Sequence, residues 1–396
     1  MTDQHQAQPE KKPRQRKPKG RGHGEGSVYE RKSDTVKRNK PWVAQIPLGT
    51  GKTKSLYFKT QKEAQQALRK ALNEQEQGML ITERDQKVGP YLEHWLEHIH
   101  RPHIRLTSYR RYQAALYRHI VPALGHIPLR RLTSQDINVF YAQQQKEKQS
   151  ARSIHVMHAL LHKALDDAMQ AQPPLVARNV SDAAKLPHIL RADQQFLTQE
   201  QAHILLEAAK GHRFETLLIL ALTTGMRRGE LVALRWQDID FEHRCLHVRQ
   251  TANTVSGYGI VVGEPKTEAS RRRIMLHPFV LETLKLHRET QEAVRLKAGG
   301  EWQDNNLVFC NEQGAFYRPQ RVLTQFQAIL RDAGLPHLRF HSLRHSAATI
   351  LLAKGVNPKV VQSILGHSSF QMTMDTYSHV LPDQQEDAMS KWDDLF

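Results

Sequence analysis

The chain has 396 residues, 57 of them lysine or arginine against 40 aspartates and glutamates, for a formal charge of +17, and 39% are hydrophobic. It is too long for one ordinary domain, apolar enough to bury real cores, and basic enough to favour a polyanionic partner. Cys245 and Cys310 stand far apart with no CxxC, no apolar run could span a bilayer, and the N-terminus lacks an apolar signal core. These features argue against a disulfide scaffold, a membrane protein and a secreted one, and a cytoplasmic setting is expected.

Residues 1–26 are rich in Lys, Arg, Gln, Pro and Gly and contain nothing that could form a core. They read as a disordered basic arm able to add phosphate contacts. Residues 27–80 read as a small α+β module. Ser27–Glu30, Trp42–Ile46 and Ser55–Phe58 alternate as strands, and a helix follows over about 61–77 with Ala64, Ala67, Leu68, Ala71 and Leu72 on one face. The Gly51-Lys52-Thr53 string is not a phosphate-binding loop: the glycine needed five positions earlier is Ile46, and a strand rather than a helix follows.

Residues 81–187 read as an all-α domain. Tyr91, Leu92, Trp95, Leu96 and Ile99 recur at helical spacing; a second helix runs from about Ser108 to Val121, capped by Thr107 or Ser108 and broken by Pro122 and Gly125. Ser134 is expected to cap a helix over 136–146, and 153–171 is a further periodic helix. His94, His98, His100 and His103 cluster here, but without an HExxH pattern or a partner carboxylate they read as surface histidines rather than metal ligands. Lys52, Tyr109, Arg110, Arg111, Arg118 and Lys163 are candidate DNA contacts.

A Pro187-containing linker leads to a larger, mainly helical α+β domain over 195–396. It opens with Leu197-Thr198 before a helix, then a wholly apolar helix over 214–223. Strands over 245–250, 259–262 and 272–276 follow, and then more helices. Its chemistry-bearing residues come in separate local motifs. Thr224-Gly225-Met226-Arg227 follows the apolar helix, and Gly225 permits a tight turn. Glu230, three residues on, can hold nearby groups in place. Lys266 lies between two strands, at a hairpin tip able to enter a DNA groove, where a lysine can protonate a leaving oxygen. His341 and Arg344 sit at i, i+3 on one helix face, while His345 points elsewhere and has no assigned role. Asn357-Pro358 reads as N-cap and first turn of a short helix that Gly366 terminates, fixing His367 just beyond its end. Tyr377 follows. A tyrosine, with a free pKa of ~10, needs a base and a charge-neutralised phosphate before it can act as a nucleophile. Two arginines, a lysine and two histidines supply both without a metal or other cofactor.

In the order and spacing of Arg227, Lys266, His341, Arg344, His367 and Tyr377 the chain resembles the tyrosine recombinases of the phage-integrase family, over nearly its whole length. It is similar in layout to integrases of temperate phages and conjugative transposons. The resemblance implies site-specific DNA integration and excision through a 3′-phosphotyrosyl intermediate. In that scheme Tyr377 is the nucleophile, Arg227 and Arg344 hold the non-bridging oxygens, and His367 adds a hydrogen bond. Lys266 is the acid, and His341 is the base, oriented by Glu230. The resemblance further implies arm-type sites bound by 27–80 and core-type sites bound by 81–187. A homotetramer would exchange strands through a Holliday junction on double-stranded DNA, with DNA-bending and excision proteins as further partners. The tail over 382–396, acidic with apolar Met389, Trp392, Leu395 and Phe396, would pack on a neighbouring protomer or cap its own site. A type IB-like DNA-relaxing enzyme is the alternative within the same chemistry. Relaxation needs no sequence addressing, which leaves the two N-terminal modules unexplained. A sequence-specific DNA-binding regulator, with 358–366 as its recognition unit, is the alternative outside it. It would leave the six residues without a purpose.

Overall fold

The computed structural model describes residues 26–31, 41–47, 53–76, 86–189, 195–265, 267–367, 369–371 and 374. The basic arm before residue 26, Lys52, Lys266, Tyr377 and the C-terminal tail therefore lie outside the described residues. By contact density the chain divides into two units, 1–189 and 190–396.

In the first unit β1 (Ser27–Glu30), β2 (Trp42–Pro47) and β3 (Thr53–Phe58) form an antiparallel sheet in sequence order. Trp42 faces Phe58 and Ala44 faces Leu56 across the β2–β3 ladder. Strand side chains alternate between faces, so Trp42, Ala44, Ile46, Leu56 and Phe58 share one side. Helix α1 (Gln61–Glu76) packs there through Ala64, Leu68 and Ala71. This is the predicted three-strand, one-helix module.

Residues 86–189 are helical with a core of their own. Helix α2 (Val88–His94) continues through a widened turn at Trp95–His100. The wholly buried Trp95 donates from its indole to Asp167 Oδ2 at 2.8 Å. Helix α3 (Leu106–Ala115) starts two residues before the expected Ser108, and neither Thr107 nor Ser108 caps it; the N-cap is Arg105. Nor does Pro122 break the run. A π-turn over Leu116–Ile120, closed by Val121 N–H donating to Leu116 O, carries the chain into α4 (Val121–Leu124). Proline lacks the N–H for an ordinary i→i−4 bond, and a widened turn accommodates that loss. Helix α5 (Ser134–Lys146) is capped one residue earlier than expected. Thr133, not Ser134, exchanges bonds with Asp136 in a reciprocal cap. Helix α6 (Ala151–Gln170) buries Ile154, Met157, Leu161 and Leu165 along one stripe.

The second unit opens with Thr198 capping α7 (Gln199–Ala208). Helix α8 (Glu215–Thr224) is buried from Thr216 through Leu222 and forms the centre of the core, and the short α9 (Arg228–Val232) follows it. A helix apolar all round can be stable only when covered on all sides. Strands β4 (Ile239–Asp240), β5 (Cys245–Val248) and β8 (Arg272–Met275) make one antiparallel sheet, and β6 (Thr251–Val255) with β7 (Gly259–Gly263) makes a separate hairpin. The expected hairpin between 259–262 and 272–276 is therefore not formed. β7 pairs back to β6, a strand missed in the sequence, while Lys266 itself lies outside the described residues. Helices α10 (Pro278–Ala298), α11 (Pro319–Asp332), α12 (Ser342–Ala353) and α13 (Pro358–Leu365) complete the unit. Among the described residues no helix is long and apolar enough to cross a membrane.

Candidate active site

Four segments distant in sequence converge on one cluster of positive charge. Arg227 stands at the N-cap of α9, directly after Gly225 has turned the chain out of α8 with φ +61°. Any side chain at Gly225 would also collide with Leu365 of α13. A glycine is thus needed both for the backbone conformation and for the close approach of these helices. Arg227 Nη1 donates to Glu230 Oε1 at 2.8 Å, its backbone N–H donates to Glu230 Oε2 at 3.0 Å, and Nη2 reaches Gly366 O at 3.3 Å.

Glu230 is 3% exposed and serves two arginines. Arg272 Nη2 donates to its Oε2 at 3.0 Å, while Arg272 Nε donates to Ile364 O at 2.6 Å and Nη1 to Ser270 O at 3.1 Å. Burial by itself would raise the Glu230 carboxyl. The Arg272 charge and hydrogen bond, with those of Arg227, outweigh it and hold the group below its ordinary value. Glu230 was expected to orient His341; its bonds go to Arg227 and Arg272 instead, because the buried carboxylate finds its opposite charges there.

Arg344, in the first turn of α12, is 2% exposed. Its Nη1 donates to Gly225 O at 2.9 Å, and its buried Nη2 has no hydrogen-bond partner among the described residues. Burial first, then the neighbouring Arg227 and Arg272, pull its guanidinium down to about 9. His341 is the N-cap of α12, and His367 follows Gly366, the left-handed C-cap of α13. A Cβ at Gly366 would come within 2.7 Å of Ala269 O and 2.9 Å of Arg272 Cδ. The sheet, α13 and the site are thus in direct contact. His341 is pulled down to about 4 by burial, then by His345 and Arg344; His367 falls to about 3 by burial, then by Arg344 and Arg227. Both imidazoles are neutral at pH 7, and in each the ring nitrogen that carries no hydrogen can accept a proton.

Arg227, Glu230, His341, Arg344 and His367 thus come together as expected. Three further residues escaped the sequence reading. Arg272 and Ser270 brace the site, and the half-buried His345, set aside as facing elsewhere, packs edge-on against His341 with ring centroids 4.9 Å apart. The signal for Arg272 was present. In Arg271-Arg272-Arg273-Ile274 strand alternation puts Arg272 on the side of the buried Ile274, so the middle arginine had to be paired inside.

The candidate DNA contacts fare less evenly. Tyr109 is 5% exposed and its hydroxyl bonds Glu97, which makes it a core residue of the helical region rather than a surface contact. Arg110 is half-buried and donates to Gln113 Oε1 at 2.6 Å. Arg111 and Arg118 are exposed, and Lys163 is exposed but paired with Asp167 at 2.8 Å. His94 and His98 are exposed neighbours, and His100 stacks on Trp95 at 4.5 Å. No group of three potential metal ligands occurs among the described residues.

The low histidine values have a consequence for stability. The unfolded chain takes up protons at these two sites near pH 6.5, whereas the folded chain does so only near 4 and 3. Between those limits the unfolded state binds more protons, so stability falls as pH falls. The melting temperature of the DNA-free protein is expected to decline from pH 6.5 towards 4 more steeply than that of a His341→Gln/His367→Gln variant. Equal slopes would show that the buried His367 imidazole does not stay neutral.

Comparison with known proteins fits this geometry. The phage integrase family model matches residues 195–384, and the model for the phage integrase N-terminal SAM-like domain matches residues 87–143. A tyrosine recombinase XerC-like protein of Caldanaerobacter subterraneus subsp. tengcongensis is 29% identical over 359 residues, covering 87% of this chain and 92% of that one. The ICEBs1 integrase of Bacillus subtilis is 26% identical over 289 residues, 72% of this chain and 77% of that one. Among solved structures, a Tn1549 transposon integrase in complex with transposon right-end DNA superposes with a TM-score of 0.67 at 21% identity, covering 77% of this chain and 99% of that one. A lambda integrase tetramer bound to a Holliday junction gives 0.55 at 19%, covering 90% and 96%. At these identities the structures share the fold.

Proposed function

We propose a residue-level mechanism for this chain, which belongs to the phage integrase family and is a site-specific tyrosine recombinase of mobile elements: strand cleavage in the pocket formed by Arg227, Arg344, His341 and His367. The observation that carries it is Arg344. A buried guanidinium with one donor unpartnered, beside a second arginine and two neutral imidazoles, is a costly arrangement that a phosphate would complete. Arg227 and Arg344 hold the non-bridging oxygens and carry the charge that develops on them, and His367 adds a donor. Tyr377 Oη attacks phosphorus and its proton passes to His341, which is neutral and can accept it. The bond from phosphorus to the 5′-oxygen breaks, and Lys266 protonates that oxygen. The 5′-hydroxyl of a partner duplex then reverses the step. One phosphodiester is exchanged for another, so no ATP is consumed, and the arginines supply the charge that a metal would otherwise provide.

The +17 charge and the two N-terminal modules support an assignment of 27–80 to arm-type and 81–187 to core-type attachment sites. We place four copies on two duplexes, with DNA-bending and excision factors setting direction. The test is a nicked suicide duplex drawn from the DNA flanking the coding sequence. Wild type should give an SDS-resistant protein–DNA adduct and Tyr377→Phe none, with binding retained. An adduct that persists in Tyr377→Phe would remove this reading.

A further inference from the structure

A cavity with apolar walls and basic residues at its edge opens at His341. It has a volume of about 520 Å³; Met226, Leu323 and Phe340 form its apolar wall, and Arg228, Gln327, His337, Arg339 and His341 supply its polar groups. His341 thus borders both this cavity and the arginine cluster. No carboxylate lines this cavity among the described residues, and the acid nearest in sequence, Glu230, is turned away to Arg227 and Arg272. Arg228 is half-buried, with no hydrogen-bond or ion-pair partner among the described residues, and burial pulls its guanidinium below the ordinary value. Arg339 and His337 are exposed, and Gln327 is fixed by donation to Leu338 O at 2.5 Å. A half-buried cation without a counter-charge is destabilising until an anion arrives. Arg213 by contrast pairs with Glu312, and Arg271 with Glu264.

On the reading that the scissile phosphate sits at Arg227 and Arg344, we infer that this cavity is a second phosphate subsite, which takes the phosphodiester adjacent to the scissile one with Arg228 as its anchor and Arg339 at its rim. A strand carries one charge per about 3.4 Å of helix axis, so a phosphate held at one pocket brings its neighbour to the next. Arg227 is the N-cap of α9 and bonds Glu230 and Gly366 O, whereas Arg228, the next residue, lines the cavity, so each addresses its own phosphate. The subsite fixes the strand on both sides of His341 and so aligns the scissile bond.

Methylphosphonate replacement tests this, because it removes the charge of one phosphate at a time. Duplexes carrying the replacement at each position flanking the nick are titrated against wild type, Arg228→Met and Arg228→Lys by fluorescence anisotropy, and adduct formation is followed in parallel. Wild type should lose on the order of tenfold in affinity at one flanking position, the size of a single charge-assisted contact. Arg228→Met should bind unmodified DNA more weakly by a similar factor and be indifferent to that replacement. Arg228→Lys, which keeps the charge and guards against a folding defect in the methionine variant, should recover part of the sensitivity. Identical profiles for wild type and both variants would overturn the subsite. Binding that shows the position-specific effect without any adduct would leave the subsite standing and count against the cleavage reading instead.

Discussion

Replacing Arg344 with methionine is expected to slow covalent capture of DNA by about 10²–10³-fold, the usual loss for one preorganised donor at a developing negative charge. The melting temperature should stay level or rise. Two effects decide the sign. Losing the 2.9 Å bond leaves Gly225 O without a partner, at about 1–3 kcal/mol. Against that, the folded DNA-free protein no longer buries a cation at 2% exposure whose nearest opposite charge, Glu230, is already bonded to two other arginines. Exchanging a buried ion for a packed apolar side chain is commonly neutral or stabilising by about 1–4 kcal/mol. Arg344→Lys should not rescue cleavage, because a point charge cannot bond Gly225 O and a phosphate in the fixed fork that guanidinium provides. Differential scanning calorimetry beside the suicide-substrate assay reads both axes. A methionine variant that melts well below wild type would mean that Arg344 holds the fold together rather than waiting for substrate.

That site was legible to an unusual degree because its members sit at element boundaries, where chain chemistry is most local. Gly225 and Gly366 each mark a helix end, Asn357-Pro358 marks a beginning, and His341 and Arg344 fall within one turn. Each of those features follows from sterics or capping within a few residues. What stayed hidden depends on tertiary partners. Whether β7 would pair with β6 or with β8 is not written in either strand, so the β7–β8 hairpin expected from the sequence does not form among the described residues. Tyr109 looked like a surface residue among basic neighbours, and only its burial, with its hydroxyl on Glu97, shows otherwise. The target of Glu230 was likewise missed: three residues from Arg227 in sequence, it is drawn to Arg272 by a strand 42 residues away. Strand parity could have placed Arg272 on the buried side of β8, but could not name the carboxylate it would meet.

The same substitution at Arg272 is expected to have the opposite effect on stability. Arg272→Met removes a buried arginine that is fully engaged, by Glu230 at 3.0 Å, Ile364 O at 2.6 Å and Ser270 O at 3.1 Å. Glu230, 3% exposed, would keep only Arg227, itself partly exposed. Breaking a buried pair from one side costs about 3–5 kcal/mol, because the remaining charge stays out of water. For a unit of this size that is a fall in melting temperature of order ten degrees. Cleavage should fail too, since Arg227 depends on Glu230 for its aim and α13 depends on Arg272 for the bond at Ile364 that precedes His367. The double variant Arg272→Met/Glu230→Gln separates the two losses. Without a buried carboxylate to strand, most of the lost stability should return. Cleavage should not, because no charged group then holds Arg227. If Arg272→Met melts like wild type, or if the double variant regains cleavage together with stability, Arg272 is not the brace that joins sheet, helix and phosphate pocket. The contrast between Arg272 and Arg344 is the sharper reading: two buried arginines lose the same charge, and the sign of the stability change reports which of them already has its anion.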